Sequence, residues 1–178
     1  RGRVNQPGLD FYDRLVDALL ERDIAPHLTL NHWDLPQALQ ETGGWMSRDT
    51  VGRFADYAAE VARRFGSRAA TIATHNEPWV IAILGHQAGT FAPGLKSQKA
   101  AMQVSHHLLL SHGIALQALR SQRCAAPLGI VLNQAPTHAV TDSPEDLAKV
   151  RLDDGLTIRW YMDALLRGSY PEDVLAFL

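Results

Sequence analysis

Short apolar runs alternate along this chain with longer amphipathic ones. In residues 9–20, Tyr12, Leu15, Val16, Leu19 and Leu20 recur at helical spacing, with Asp13, Arg14, Asp17 and Glu21 on the opposite face. Asn5 and Pro7 are start signals for that helix. Residues 24–30 predict a short buried strand, and Pro36 beyond it discourages helix at Leu35. The Gly43-Gly44 pair marks a loop, and Ser47 is a suitable N-cap for the next helix. Val51, Phe54, Ala58, Val61 and Phe65 make one stripe of that helix, with Gly66 suited to a left-handed position at its end.

Residues 70–74 predict a second strand, followed by a polar, Gly-rich connection through Gly85, Gly89, Pro93 and Gly94. A long helix over residues 98–120 carries His106, His107 and His112, and residues 128–132 predict a third strand. Ser143-Pro144-Glu145-Asp146 starts another helix, with Ser as cap, Pro at the first position and acids in the first turn. That helix runs towards Leu166 with a break expected at Gly155, and Gly168 and Pro171 end it. A helix followed by three strand–helix units predicts a parallel sheet with helices outside it. Open doubly wound sheets and (β/α)₈ barrels both fit this order. No Gly-rich phosphate fingerprint follows any of the strands, which removes support for nucleotide binding.

Composition narrows the function further. A formal charge of −2, with no run of Lys or Arg, gives no electrostatic case for nucleic acid or an anionic membrane surface. No apolar run is long enough to span a bilayer. The N-terminal Arg1-Gly2-Arg3-Val4-Asn5 has no apolar segment behind its charges, so it does not read as a signal peptide. Cys124 stands alone, which fits a reducing compartment and leads to the expectation of a cytoplasmic protein.

The polar residues gather where the strands end. His32, Trp33 and Asp34 follow the first strand, Asn76, Glu77 and Trp79 the second, and Asn133 the third. In parallel barrels chemistry collects at these C-terminal ends. Amides and acids suit sugar hydroxyls, and flat aromatic faces suit the apolar sides of a sugar ring. Cleaving a glycoside requires protonation of the leaving oxygen, which a Glu holding its proton near neutral pH can perform. A neighbouring amide can bond the sugar 2-hydroxyl, a contact that strengthens in the transition state. Asn76 and Glu77 supply that pair, and Pro78 stiffens the chain after them.

The segments Thr29-Leu30-Asn31-His32-Trp33-Asp34-Leu35-Pro36 and Thr74-His75-Asn76-Glu77-Pro78-Trp79 resemble the His-Trp-Asp-Leu-Pro and Asn-Glu-Pro motifs of family 1 glycoside hydrolases, the β-glucosidase family. Phe11-Tyr12, Gly43-Gly44-Trp45, Ala92-Pro93-Gly94, His106-His107 and Arg167-Gly168-Ser169-Tyr170-Pro171 match the same family in order and spacing. The resemblance covers essentially the whole chain. It implies an α/β fold, a partial (β/α)₈ TIM barrel, in which the three strands are the third to fifth. Residues 1–178 would be the central part of a single barrel domain whose N-terminal and C-terminal portions lie outside them. It implies a retaining β-glycosidase with Glu77 as general acid/base. Asn76 would bind the sugar 2-hydroxyl, His32 and Trp33 would line the same subsite, Trp79 would border the aglycone side, and Asn133 would lie near the site. No cofactor or metal is implied. The expected partners are a β-linked glucoside or oligosaccharide and the rest of the barrel, from the same or another polypeptide.

Retention also needs a nucleophilic carboxylate about 5–5.5 Å from the acid/base. The family carries that Glu before Asn-Gly, and no Glu in this sequence is followed by Asn. The isolated segment is therefore expected to be inactive. Against the family pattern, Asn31 stands where an aromatic is more frequent and His75 where an apolar residue is usual. Two other functions compete: a carbohydrate-binding remnant without hydrolysis, and a metal-dependent barrel hydrolase using His32 and His75. His107 and His112 lack the i, i+4 spacing of a helical zinc motif, and satisfied helix histidines are the default for this run.

Overall fold

The computed structural model describes residues 2–178; Arg1, the first residue of the N-terminal segment read above, lies outside them. The chain divides into two compact units, residues 1–131 and 132–178.

In the first unit, α1 (Gln6–Leu20) starts where expected: Asn5 caps it, its side-chain oxygen accepting from the Gly8 N–H at 3.3 Å. Of its predicted stripe, Val16 is fully buried, against Val61 and Phe65, while Tyr12, Leu15 and Leu20 are exposed. Strand β1 (His27–Asn31) begins three residues later than expected and ends one later. Asn31 thus belongs to the strand. A four-residue helix α2 (Gln37–Gln40) follows, starting immediately after Pro36, which fits the bias against helix before proline.

The Gly43-Gly44 turn is real: both residues have positive φ, +106° and +53°, and a side chain on Gly44 would collide with Gln40. It leads into one 3₁₀ turn (Gly44–Met46) and then α3 (Asp49–Phe65). All five residues of the predicted α3 stripe are buried. Two terminal expectations fail. Ser47 does not cap α3, because the chain is already turning helically at Arg48 and no side chain bonds the end. Gly66 is right-handed, at φ −61°, because the chain continues through a tight turn in which Arg68 and Ala69 both donate to Phe65 O. Arg64 and Arg68 pair with Asp10, Asp13 and Asp17, joining α3 to α1.

Strand β2 (Thr71–Asn76) runs two residues beyond its predicted end and takes in His75 and Asn76. The connection after it is not a plain Gly-rich loop. Val80–Gln87 forms a π-helical segment, largely buried, with Ala88 N–H donating to Ile83 O at 2.8 Å. Helix α4 (Gln98–Ser121) matches its prediction and is capped by Ser97, which accepts from Ala100 N–H at 3.3 Å. Strand β3 (Leu128–Val131) completes a parallel sheet in the order β1-β2-β3. The register sets Asn31 beside His75 and Asn76 beside Val131.

The core lies between the sheet and its outer helices: Phe54, Ala58 and Ala62 of α3, Ile72 of β2, and Val104, Leu108, Ala115 and Leu119 of α4. Leu108 is 0% exposed. Leu108→Ala is expected to lower stability by about 2–5 kcal/mol, read by denaturant unfolding of the polypeptide that carries this chain. A loss below about 1 kcal/mol would mean that this core is loosely packed.

In the second unit, α5 (Pro144–Asp154) starts on Ser143, whose hydroxyl accepts from Asp146 N–H at 3.2 Å. The expected break at Gly155 is a π-helical segment, Gly155–Arg159, continuing into α6 (Trp160–Leu166). Gly155 is required there, since a Cβ would lie 2.5 Å from the Val174 side chain. After Gly168, Pro171 starts a short α7 (Glu172–Phe177) that the sequence pattern did not predict. Arg159 bonds both Asp154 and Asp173, and its guanidinium, with a smaller contribution from Arg151, holds the Asp173 carboxyl well below the usual range.

Candidate active site

The C-terminal ends of β1 and β2 lie side by side, so parallel pairing brings together residues 44 positions apart. Strand β2 delivers Asn76 at its last position and Glu77 immediately after it. Glu77 adopts φ +46°, which few non-glycine residues do. Its backbone is held on both sides: its N–H donates to Val131 O at 2.8 Å, and its C=O accepts from Val80 N–H at 2.9 Å. The first bond ties it to β3 and the second to the start of the π-helical segment. Uncommon backbone geometry of this kind persists only where the surroundings over-determine it. The Glu77 side chain is half-buried, and Pro78 behind it is fully buried.

Strand β1 delivers His32 and Trp33. Trp33 also has positive φ, +81°. Its indole N–H donates to the Asn76 carbonyl at 3.1 Å, so the tryptophan holds the peptide that joins Asn76 to Glu77. Exposed His32 places Nε2 3.4 Å from Asn76 Nδ2. The His32 and Trp33 rings lie 5.2 Å apart, and the Phe91 ring lies 5.5 Å from Trp33. Of the residues the sequence singled out, the structure therefore gathers His32, Trp33, Asn76 and Glu77 at one rim. Trp79 is half-buried and opens the π-helical segment, in helical backbone. Asn133 is half-buried and belongs to the second unit, two residues past the end of β3.

Sequence reasoning missed a polar layer directly beneath this rim. His75 is fully buried, with Nε2 2.7 Å from Ser111 Oγ and Nδ1 3.3 Å from Asn31 Oδ1. Asn31 also donates its Nδ2–H to the Asp34 carbonyl at 3.0 Å. Phe54 stacks on the His75 ring at 4.5 Å and Trp45 meets it edge-on at 5.4 Å. Burial, with a smaller contribution from His112, pushes the His75 imidazole down to about 3 from 6.5. One signal was available: polar Asn31 and His75 stand at and next to the ends of two strands, at positions where the family resemblance calls for aromatic or apolar residues, and buried polar groups find partners. Phe91 carried no comparable signal.

Three further buried histidines have partners within the protein. His107 Nδ1 lies 2.8 Å from Trp45 O, His112 Nδ1 2.8 Å from Thr74 Oγ1, and His86 Nδ1 2.8 Å from Ile81 O. His32 and His75 are not brought together as a ligand pair, because both His75 nitrogens already face protein partners. Among the described residues, no group of three or more His, Cys, Asp or Glu side chains is placed to hold a metal ion. Among them, too, no helix is long and apolar enough to cross a membrane.

The chain is 45% identical over 174 residues to β-glucosidase A of Acetivibrio thermocellus, covering 98% of this chain and 39% of that protein. It is 48% identical over 177 residues to thermostable β-glucosidase B of Thermobispora bispora, covering 99% of this chain and 36% of that one. The crystallised β-glucosidase of Thermotoga maritima in complex with glucoimidazole superposes with a TM-score of 0.96 at 41% identity, over 100% of this chain and 41% of that one. The chain thus spans well under half the length of these relatives. The family described as glycosyl hydrolase family 1 matches residues 1–178, and this chain belongs to that family.

Proposed function

We propose that these residues form the acid/base half of a retaining, β-glucosidase-like active site that cleaves O-glycosidic bonds. One observation carries the reading: Glu77, locked by backbone bonds at the end of β2, sits beside Asn76 at the rim that also receives His32 and Trp33. Glu77 acts first as general acid on the leaving oxygen and then as general base on water. Asn76 binds the sugar 2-hydroxyl, His32 and Trp33 line the sugar subsite, Trp79 borders the aglycone, and Asn133 lies near the site. Trp33 does this through its ring, since its N–H is committed to the Asn76 carbonyl.

On this reading β1, β2 and β3 are the third, fourth and fifth strands of one (β/α)₈ barrel to which both units belong. No Glu of this chain is followed by Asn, so the nucleophilic carboxylate is supplied by barrel residues outside these 178. The partners are a β-linked glucoside or oligosaccharide and the rest of the barrel, the location is cytoplasmic, and the 178 residues alone do not hydrolyse.

The test is the polypeptide that carries this chain, supplied with an aryl β-glucoside and followed by proton NMR. The first sugar released should be the β-anomer, the signature of a double displacement. Release of the α-anomer would overturn retention. Sugar binding without turnover would instead establish the non-hydrolytic carbohydrate-binding reading.

A further inference from the structure

The rim residues rest on a chain of buried polar groups that crosses three elements. Ser111 comes from α4, His75 from β2 and Asn31 from β1, and the chain ends on the carbonyl of Asp34, just past His32 and Trp33. Each link has a direction set by chemistry. Only the nitrogen of the Asn31 amide can donate to the Asp34 carbonyl, so its oxygen faces His75. Nδ1 of His75 must then carry the proton. In a neutral ring Nε2 is left as the acceptor, and Ser111 is the hydroxyl within 2.7 Å to donate to it. The Leu108 carbonyl, 2.8 Å from the same hydroxyl, is a second acceptor within reach, but it already receives a helical N–H, whereas the bare Nε2 at the shorter 2.7 Å has no other donor, so the single hydroxyl proton goes to the ring. The order is therefore Ser111 O–H to His75 Nε2, His75 Nδ1–H to Asn31 Oδ1, and Asn31 Nδ2–H to Asp34 O.

We infer that His75 is a positioning residue: through Asn31 it fixes the loop bearing His32 and Trp33 against the strand end bearing Asn76 and Glu77. The inference rests on the acid/base reading of Glu77. The loop after β1 supplies the Trp33 indole that holds the Asn76–Glu77 peptide, and a loop free to drift releases that peptide. The buried ring packs against both Phe54 and Trp45, which also meet each other at 5.8 Å, so it has little freedom of its own. Burial keeps it neutral, so the direction of the chain persists through the neutral pH range.

Three variants of the full polypeptide separate positioning from simple packing. His75→Asn keeps a donor close to the place of Nδ1, His75→Gln keeps a polar group only near the place of Nε2, and Ser111→Ala cuts the far end of the chain. For an aryl β-glucoside, His75→Gln should lose about tenfold in kcat with KM within about twofold, and His75→Asn should lose no more than about threefold, as expected of a sub-ångström misplacement. Ser111→Ala should lower the melting temperature while leaving kcat within about twofold, because the Asn31 link survives. Equal kcat losses in His75→Asn and His75→Gln, or full kcat in His75→Gln, overturn the proposal. Nitrogen-15 NMR of His75 gives a readout independent of turnover: protonated Nδ1 and unprotonated Nε2 at pH 7. The opposite tautomer overturns the chain of bonds. The expected tautomer in a wild-type protein without glycosidase activity upholds the chain of bonds and overturns the role given to Glu77.

Discussion

Glu77→Gln in the polypeptide that carries this chain is expected to lower kcat about 10³-fold for glycosides with poor leaving groups, the range associated with loss of a positioned general acid. Gln nearly matches Glu in shape, and the Glu77 backbone is held by bonds from Val131 and Val80 that do not involve the side chain. The variant should therefore fold normally, and its loss is a loss of proton transfer. The dependence on leaving group makes the prediction specific. An oxygen that departs readily as an anion needs no proton, so glycosylation of the nucleophile should be nearly restored with a dinitrophenyl glycoside. Hydrolysis of the glycosyl-enzyme should then limit turnover, because water has lost its base. A small anionic nucleophile such as azide needs no base and should relieve that limit, yielding the β-glycosyl azide. Equal losses across leaving groups, without azide rescue, would remove Glu77 from the acid/base role.

The second large effect is on stability against acid. The His75 imidazole titrates at about 3 in the folded chain, against 6.5 when exposed. Above pH 6.5 neither state binds the proton and the group is silent. Below it the unfolded chain takes up a proton that the folded one refuses, so stability falls as pH falls. The loss approaches about 1.4 kcal/mol per pH unit between roughly pH 6.5 and 3. The groups facing the ring supply no negative charge to offset this: Asn31, Ser111, Phe54 and Trp45 are neutral, and His112 opposes protonation. His86 and His112 are shifted in the same direction, mainly by burial, and add to the trend. Denaturant unfolding from pH 6.5 to pH 4 should show wild-type stability falling more steeply than that of His75→Asn, by close to the single-proton slope. Parallel pH dependences would mean that His75 is not held neutral and dry.

Features of this chain set by neighbouring residues are legible in its sequence, and those set by distant ones are not. The α3 stripe, the Asn5 and Ser143 caps and the three short apolar strands were legible because periodicity and capping involve residues a few positions apart. The rim cluster was legible for a related reason: in a parallel sheet all strand ends share one side, so residues following each strand meet without knowledge of the packing. The segment Val80–Gln87 was misread because its glycine and flanking polar residues suggested a loop, while its burial against α4 made it helical. Ser47 and Gly66 had suitable chemistry for caps, but the turns on either side of α3 decided otherwise.

The Asn31–His75–Ser111 chain lay beyond any local pattern. It needs the register that sets Asn31 beside His75, and a helix crossing that places Ser111 36 positions away against the same ring. From the sequence, Asn31 and His75 were isolated departures from a family pattern, and Ser111 was an unremarked helix residue. Only the packing of β1, β2 and α4 turned them into each other's partners. Desolvation makes an unpaired polar group costly and a paired one tolerable, and which of the two a residue becomes depends on neighbours distant along the chain.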